Sequence, residues 1–328
     1  SRFISKRMAP GSWREDLQDL CEWMYINREP MGSANRNEPL GRMADTELIE
    51  RLRCLKEDLE IPDEHWSAAV VNLVLDRSVT ATEGDVILMA RSVKNHGTIS
   101  AANGTAALAA GSEILISESG DQRVVVRTGT AGSATTGVEN TGVINAAQAE
   151  LKAAGGSIYE MAINQQGTIR ATGVARKNGR ILLTSDGGNI HVGGNMSAAN
   201  ADGSGGEVLI GGDYKGENPA VANAAKVTVS KDAVIDASAT TTDGDGGRVI
   251  VWSDQTTDFN GTIKARGGSS SGDGGFVEVS GAQTLNFNPA NPVDLSAPGG
   301  NTGTLLLDPD DLNIVDTATN PPADSTGT

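Results

Sequence analysis

The chain has few of the residues that usually fill a globular core. Phe, Trp and Tyr together make up only 3% of its 328 residues, and it contains two cysteines, Cys21 and Cys54. Since both cysteines lie before residue 67, a disulfide framework is excluded for the rest of the chain. Avoidance of cysteine is compatible with export from a Gram-negative bacterium.

A long apolar segment and an excess of basic residues are also missing. No run approaches the ~20 apolar residues that a membrane-spanning helix needs, and the opening SRFISKRMAPGSW shows no signal peptide. The formal net charge is −16, with 10 basic and 14 acidic residues in 1–66 and 16 and 28 in 67–328. This acidic balance argues against nucleic acid or anionic lipid as the main partner.

The first 66 residues predict two amphipathic helices. Ser12 and Glu15 have the spacing of a capping box, and a second helix is expected from about Asp45 to just before Pro62. Their apolar stripes consist of Trp13, Leu17, Leu20, Cys21 and Met24 and of Leu48, Ile49, Leu52, Leu55 and Leu59. A helical hairpin of this size is too small to be secure alone, so we expect residues 1–66 to cap the rest of the chain or to be foreign to it.

From residue 67 onward the sequence predicts short strands separated by glycine and asparagine. GDVILMA, GRILLTS and KVTVSKD are typical of strands of four to six residues. Two phrases recur: one is found in NHGTIS and NTGVIN, and the other places Gly-Gly before EVLI, RVIV and FVEV. The repeated glycines are Gly97, Gly142, Gly167 and Gly261 in the first phrase and Gly205, Gly246 and Gly274 in the second.

The spacing of these phrases predicts an all-β fold, a parallel β-helix (β-solenoid) over residues 67–316. The intervals are roughly multiples of about 20 residues, which is typical of stacked coils. About 12 coils at about 4.8 Å per coil would give a rod of about 60 Å. Glycines at the corners are expected to serve backbone conformation and close approach of coils. Residues 317–328 are interpreted as a Pro/Thr-rich tail.

Alternation within the strands that follow Gly-Gly predicts which side chains point into the solenoid. Every second residue of these strands is expected to lie on the inner face. These residues are Val208, Ile210, Val249, Val251, Val277 and Val279.

Several phrases in order resemble the filamentous-haemagglutinin-like exoproteins of two-partner secretion. They include VKNHGTISAANGTAALAAGSEILIS, GGRVIVWSDQTTDFNGTIKARGG and GTLLLDPDDLNIV, and the resemblance covers residues 67–316. It implies a right-handed parallel β-helix, secretion or display at the bacterial cell surface, and an outer-membrane transporter as partner. It also implies an adhesin or extended scaffold that binds a surface glycan or protein receptor of a host or neighbouring cell.

The sequence departs from this family in one respect. Its members begin with a secretion domain that carries Asn-Pro-Asn motifs, whereas NPANPVDL and ENPA lie far downstream and do not match. We therefore expect the secretion domain to be absent from this chain.

Candidate catalytic, cofactor and metal sites do not emerge from the pattern. His65, His96 and His191 lack metal-ligand spacing, and GSGGEV and GDGGRV lack the third glycine or lysine of a nucleotide loop. The Asp-Gly strings TDGDGG and SGDGG resemble calcium-binding repeats, but their copies are isolated. We therefore predict no catalytic, cofactor or metal residues, and interpret these strings as structural turns.

Carboxylates leave one alternative open, because some parallel β-helices cleave polysaccharides. Asp308, Asp310 and Asp311 cluster in LDPDDL, and Glu118 and Asp121 flank a predicted turn. Trp252 is the only tryptophan of the solenoid, although sugar clefts usually offer exposed aromatics. The main hypothesis is a non-catalytic rod, and the alternative is a carbohydrate-active lyase or hydrolase. A cleft in which carboxylates and a basic group converge would favour the enzyme.

Overall fold

The computed structural model describes residues 72–90, 92–111, 113–117, 122–127, 137–154, 161–175, 177–308 and 311–314. Within these ranges the chain forms 24 strands and one short 3-10 turn, Tyr214–Gly216. The predicted helical hairpin 1–66 and the tail 317–328 lie outside them. No helix of the described part is long and apolar enough to cross a membrane.

The strands stack as coils with three faces, and every pairing between coils is parallel. The first face is one nine-stranded sheet. It consists of β1 (Asn72–Leu75), β4 (Ser92–Asn95), β8 (Gly137–Asn140), β10 (Met161–Gln165), β13 (Asn189–Val192), β16 (Lys226–Val229), β19 (Thr256–Phe259), β22 (Thr284–Phe287) and β24 (Asp311–Ile314).

The second and third faces belong to one thirteen-stranded sheet, because two long strands, β5 (Thr98–Ala110) and β9 (Val143–Ala153), continue around the corner between them. The second face also contains β2 (Ser78–Ala81), β11 (Thr168–Thr172), β14 (Asn195–Ala199), β17 (Val234–Asp236) and β20 (Thr262–Lys264). The third contains β3 (Val86–Ala90), β12 (Arg180–Ser185), β15 (Glu207–Ile210), β18 (Arg248–Ser253), β21 (Phe276–Gly281) and β23 (Thr304–Leu306).

The all-β parallel solenoid is thus confirmed, but the predicted number of coils is wrong. The described residues form eight coils and the first strand of a ninth, which is about 40 Å at the usual strand spacing. The coils differ in length because loops of different size emerge at the corners. Leu73 pairs with Val93, 20 residues on, whereas Val93 pairs with Val138, 45 residues on.

The interior is a set of apolar ladders, as the alternation predicts. All six residues expected to point inward are fully buried in the main core, namely Val208, Ile210, Val249, Val251, Val277 and Val279. Small and branched side chains fill the space between three closely spaced faces, which explains the low aromatic content. Phe259 and Phe287 are exceptions, and they stack on neighbouring coils with ring centroids 5.7 Å apart.

One interior ladder is polar at the first corner. Asn95 Nδ2 donates to Asn140 Oδ1 at 2.7 Å, and Asn140 Nδ2 donates to Gln165 Oε1 at 2.7 Å. The ends are also satisfied, since Asn95 Oδ1 accepts from the Gly97 N–H and Gln165 Nε2 donates to the Gly167 carbonyl. All three side chains are fully buried, so this continuous chain of hydrogen bonds is needed to offset their desolvation.

The repeated glycines allow coils to approach closely. A Cβ on Gly142 would lie 2.1 Å from the Gly97 carbonyl oxygen, and one on Gly247 would lie 2.1 Å from that of Gly206. Gly205, Gly246 and Gly274 are not among the glycines with positive φ, so the expectation that they serve backbone conformation is wrong. Close approach, the other reason proposed for them, is confirmed.

Two excursions cover the outside of the third face. The hairpin β6–β7 (Glu113–Ile116 and Val124–Arg127) packs on the first coils, where Val124 contacts Ala107 and Ala109. Residues 211–225, here called the strap, cover the later coils. Gln122 Nε2 donates to the Ala220 carbonyl at 2.8 Å and thereby joins the two covers.

Candidate functional site

The two histidines that the structure describes lie on or beside the first face and do not contact each other. His96 contacts Asp76 on the first face, with Nδ1 2.9 Å from Oδ1, and His191 Nε2 lies 2.8 Å from Ser230 Oγ. Burial lowers the pKa of His191, so that ring is neutral near pH 7. His65 lies outside the described residues, and within them no three His, Cys, Asp or Glu side chains are grouped as metal ligands.

Most of the carboxylates in the predicted clusters have no described side chain. Of these residues only Asp308 has a described side chain, and its Oδ2 lies 2.8 Å from Lys215 Nζ. Glu118, Asp121 and Asp310, and the side chain of Asp311, lie outside the described residues. Asp308 therefore forms an ion pair with the strap, and it does not line the groove on the third face.

A groove of about 1080 Å³ instead runs along the third face, where its strands begin. Its floor is one column of paired residues that crosses six coils. In order along the solenoid the column is Gln148, Arg180, Glu207, Arg248, Phe276 and Thr304. The Gly-Gly turns form one wall and the strap forms the other, with Asp213 and Asn218.

Charges in the groove alternate and neutralise each other. Arg180 Nε lies 2.7 Å from Glu207 Oε2, and one Arg248 nitrogen lies 2.8 Å from Glu207 Oε1. The other Arg248 nitrogen contacts Asp213 Oδ1 at 2.7 Å. Sequence reasoning missed this network, although its signal is present: Glu207 and Arg248 directly follow the repeated Gly-Gly, and Arg180 directly follows the single glycine Gly179.

The protonation state of Asp213 determines whether this network can supply a general acid. Burial alone would raise the pKa of Asp213, but hydrogen bonds from Asn218 and the Tyr214 N–H, together with the Arg248 charge, lower it. A carboxyl group with a lowered pKa is ionised at neutral pH and cannot act there as a general acid. Acidic and basic groups therefore converge in the groove, as an enzyme would require. These groups form ion pairs with one another.

The strap covers an apolar patch on the outside of the third face. Val221 of the strap packs with Leu209, Ile250 and Trp252, all of which are buried. The strap passes directly over the indole, since a Cβ on Gly216 would lie 2.4 Å from Trp252 Nε1. Alternation alone would have left these outward-pointing side chains in solvent, so sequence reasoning did not find this second core.

Glu278 is fully buried beneath the strap. Its two carboxylate oxygens lie 3.2 and 3.3 Å from the backbone nitrogen of Lys215. Among the described residues Lys215 alone is a non-glycine with positive φ, at 54°. Burial raises the pKa of Glu278, the nearby Asp308 charge adds to this, and the Lys215 N–H and Arg248 oppose it.

Comparison with solved structures identifies a similar fold. The crystal structure of the HMW1 secretion domain from Haemophilus influenzae matches with a TM-score of 0.50 and 26% identity, over 76% of this chain and 72% of that one. No family model matches the chain. No curated protein matches it either. The similar structure is itself a secretion domain, the kind of domain that we expect from the sequence to be absent from this chain.

Proposed function

We propose that the solenoid is the secretion domain of a two-partner secretion exoprotein. The observation that carries this proposal is the similarity of most of the chain to the HMW1 secretion domain. The parallel coils, and the phrases that resemble haemagglutinin-like exoproteins, support the same assignment. In this role the chain is exported through an outer-membrane transporter. The right-handed sense of the coils is part of the proposal and is the sense that parallel crossovers adopt.

Export can be tested directly. A chain preceded by a cleavable signal peptide is expressed in a Gram-negative host with and without the cognate transporter, and the protein in the medium is measured. We expect release into the medium only when the transporter is present. Equal amounts in the periplasm and none in the medium under both conditions would contradict the proposal.

We further propose that the exported protein is a non-catalytic adhesin or scaffold on the cell surface. The mutual ion pairing of Arg180, Glu207 and Arg248 supports this, because no charged group in that column is left unpaired for proton transfer. The ligand is then a surface glycan or protein receptor. Binding of the purified protein to intact host cells and to glycosidase-treated cells distinguishes the two, and failure to bind either contradicts adhesion.

The second candidate function is a carbohydrate-active enzyme, which the groove favours. It crosses six coils and contains acidic and basic side chains on one face. The protein is incubated with a panel of acidic and neutral polysaccharides, and reducing ends and unsaturated products are measured. Activity that is lost in Glu207→Gln would establish the enzyme and contradict the non-catalytic proposal.

A further inference from the structure

A buried lysine lies against a side-chain amide where the hairpin β6–β7 meets the third face. Lys152 Nζ, on β9, is 2.5 Å from Gln122 Oε1 and 3.3 Å from Glu150 Oε2. The side chains of Lys152 and Glu150 are only 5% and 3% exposed. Gln122 belongs to the connection between the two hairpin strands, 30 residues before Lys152.

The amide is held in place from both sides. Gln122 Nε2 donates to the Ala220 carbonyl of the strap at 2.8 Å, while Oε1 faces Lys152 Nζ. The Cδ atom lies one carbonyl bond, about 1.23 Å, beyond Oε1. Nζ is therefore no more than about 3.7 Å from Cδ, close to the distance of about 3–3.5 Å at which reacting atoms are poised.

Burial makes the Lys152 amine easier to deprotonate, and a proton acceptor lies beside it. Burial lowers the pKa of Lys152, which the neighbouring Glu150 carboxylate only partly offsets. Glu150 is itself fixed, since its oxygens accept from the backbone N–H groups of Arg123 and Val124 at 2.8 and 3.2 Å. A desolvated lysine is a better nucleophile than an exposed one, because its neutral form carries the lone pair.

We propose that Lys152 and Gln122 form an intramolecular isopeptide bond. The neutral Nζ attacks Gln122 Cδ, and the Cδ–Nε2 bond breaks. Glu150 accepts the proton from Nζ and delivers it to the departing nitrogen, which leaves as ammonia. One N–C bond forms and one breaks, so the reaction needs no oxidant, reductant or other reactant.

The bond would fasten the hairpin to the solenoid covalently. Without it, the hairpin is held to the third face by a small apolar cluster around Val124 and by the polar contacts of Glu150 and Lys152. It would form only after folding, since Gln122 and Lys152 meet only when the hairpin lies on β9. The inference is independent of export and of any ligand.

The experiment is mass spectrometry of the purified full chain after incubation at pH 8. The expected intact mass is one ammonia below the sequence mass. In a tryptic digest, residues 95–123 and 128–170 should appear as one joined species, because cleavage after Lys152 is blocked. A chain at its full sequence mass, with residues 95–123, 128–152 and 153–170 recovered as three separate peptides, would overturn the proposal.

Three variants make the result specific. Lys152→Arg keeps a long basic side chain but cannot supply a neutral amine, and Glu150→Gln removes the proton acceptor. We expect the joined peptide to disappear in Lys152→Arg and to form at least tenfold more slowly in Glu150→Gln. Lys226→Met is the matched control, because Lys226 pairs with Asp258 at 2.6 Å on the first face, and it should leave the joined peptide unchanged.

The chain can also lose ammonia by a second reaction, which the Lys152→Arg variant distinguishes from isopeptide formation. Asn-Gly sequences, such as Asn103-Gly104 and Asn178-Gly179, can cyclise with the same change of mass. Ammonia loss that persists in Lys152→Arg, without a joined peptide in the parent, would overturn the proposal. If Lys152→Arg fails to fold, the joined peptide of the parent still decides the question.

Discussion

The carboxylate of Glu278 accepts the backbone N–H of Lys215, 63 residues earlier in the chain, at 3.2 and 3.3 Å. This contact lies between the outside of the third face and the strap, and it stabilises a backbone conformation that lysine rarely adopts. The strap is therefore held by a buried carboxyl group as well as by the apolar patch beneath it.

The first prediction concerns the pH dependence of this contact. Because burial raises the pKa of Glu278, the folded state binds this proton more tightly than the unfolded state does. Binding of this proton adds to the free energy of unfolding. The contribution is fully present below the pKa that Glu278 has in the unfolded chain, and it is lost as the pH rises through its pKa in the folded protein. Glu278→Gln should therefore raise the melting temperature at pH 7–8, with a gain that shrinks toward pH 4. Melting curves at four pH values test this, and a variant that is less stable throughout contradicts it.

The second prediction concerns the polar ladder inside the solenoid. Asn140→Val removes the middle amide and leaves the Asn95 donor and the Gln165 acceptor buried without partners. Each unsatisfied group costs about 1–3 kcal/mol, so the free energy of unfolding should fall by about 2–6 kcal/mol. Urea unfolding of the parent and of Asn140→Val measures this difference in the free energy of unfolding.

Replacing all three ladder residues together is the control. Asn95→Val, Asn140→Val and Gln165→Leu in one chain leave no unpaired amide, so much of the stability should return. A triple variant that is less stable than Asn140→Val would show that the ladder contributes through more than hydrogen-bond satisfaction.

The third prediction concerns the Gly-Gly turns. In Gly246→Ala and Gly274→Ala the new Cβ would lie 2.3 Å from the Ala265 oxygen and 2.1 Å from the Leu295 oxygen. Coils must separate to admit it, which should cost about 1–3 kcal/mol. Gly187→Ala is the control, because its φ is 69° and nothing lies within 4 Å of the new Cβ, so only backbone strain of about 1–2 kcal/mol is added.

The same variants test the structural interpretation of these turns against calcium binding. The loss should be the same with and without millimolar calcium. A calcium-dependent rise in the melting temperature of the parent, absent in Gly246→Ala and Gly274→Ala, would make the turns binding sites.

The fourth prediction concerns the core. Val249→Asp places a charge among fully buried ladders and should destabilise the protein by several kcal/mol. Arg170→Asp on the exposed side of β11 is the matched control and should change the free energy of unfolding by less than about 0.5 kcal/mol. Equal melting temperatures for Val249→Asp and the parent would contradict the inward assignment.

The sequence by itself determined the fold class and the main core. Repeated glycine phrases and alternation place Val208, Val249 and Val277 on one inward ladder, because a two-residue period leaves one face to bury. It also contained the column of Arg180, Glu207 and Arg248, because each of these residues directly follows a glycine at the start of its strand. Local pattern suffices for these features, since each coil repeats the one before it.

Only the tertiary structure decided what covers the outside of the solenoid. Leu209 and Ile250 read as outward-facing, yet they are buried because the strap crosses them. Lys152 meets Gln122, and Lys215 meets Glu278, across loops that follow no repeat, so no period in the sequence brings them together. The number of coils escaped prediction for the same reason: the loops at the corners vary freely in length, since they lie outside the stacked strands.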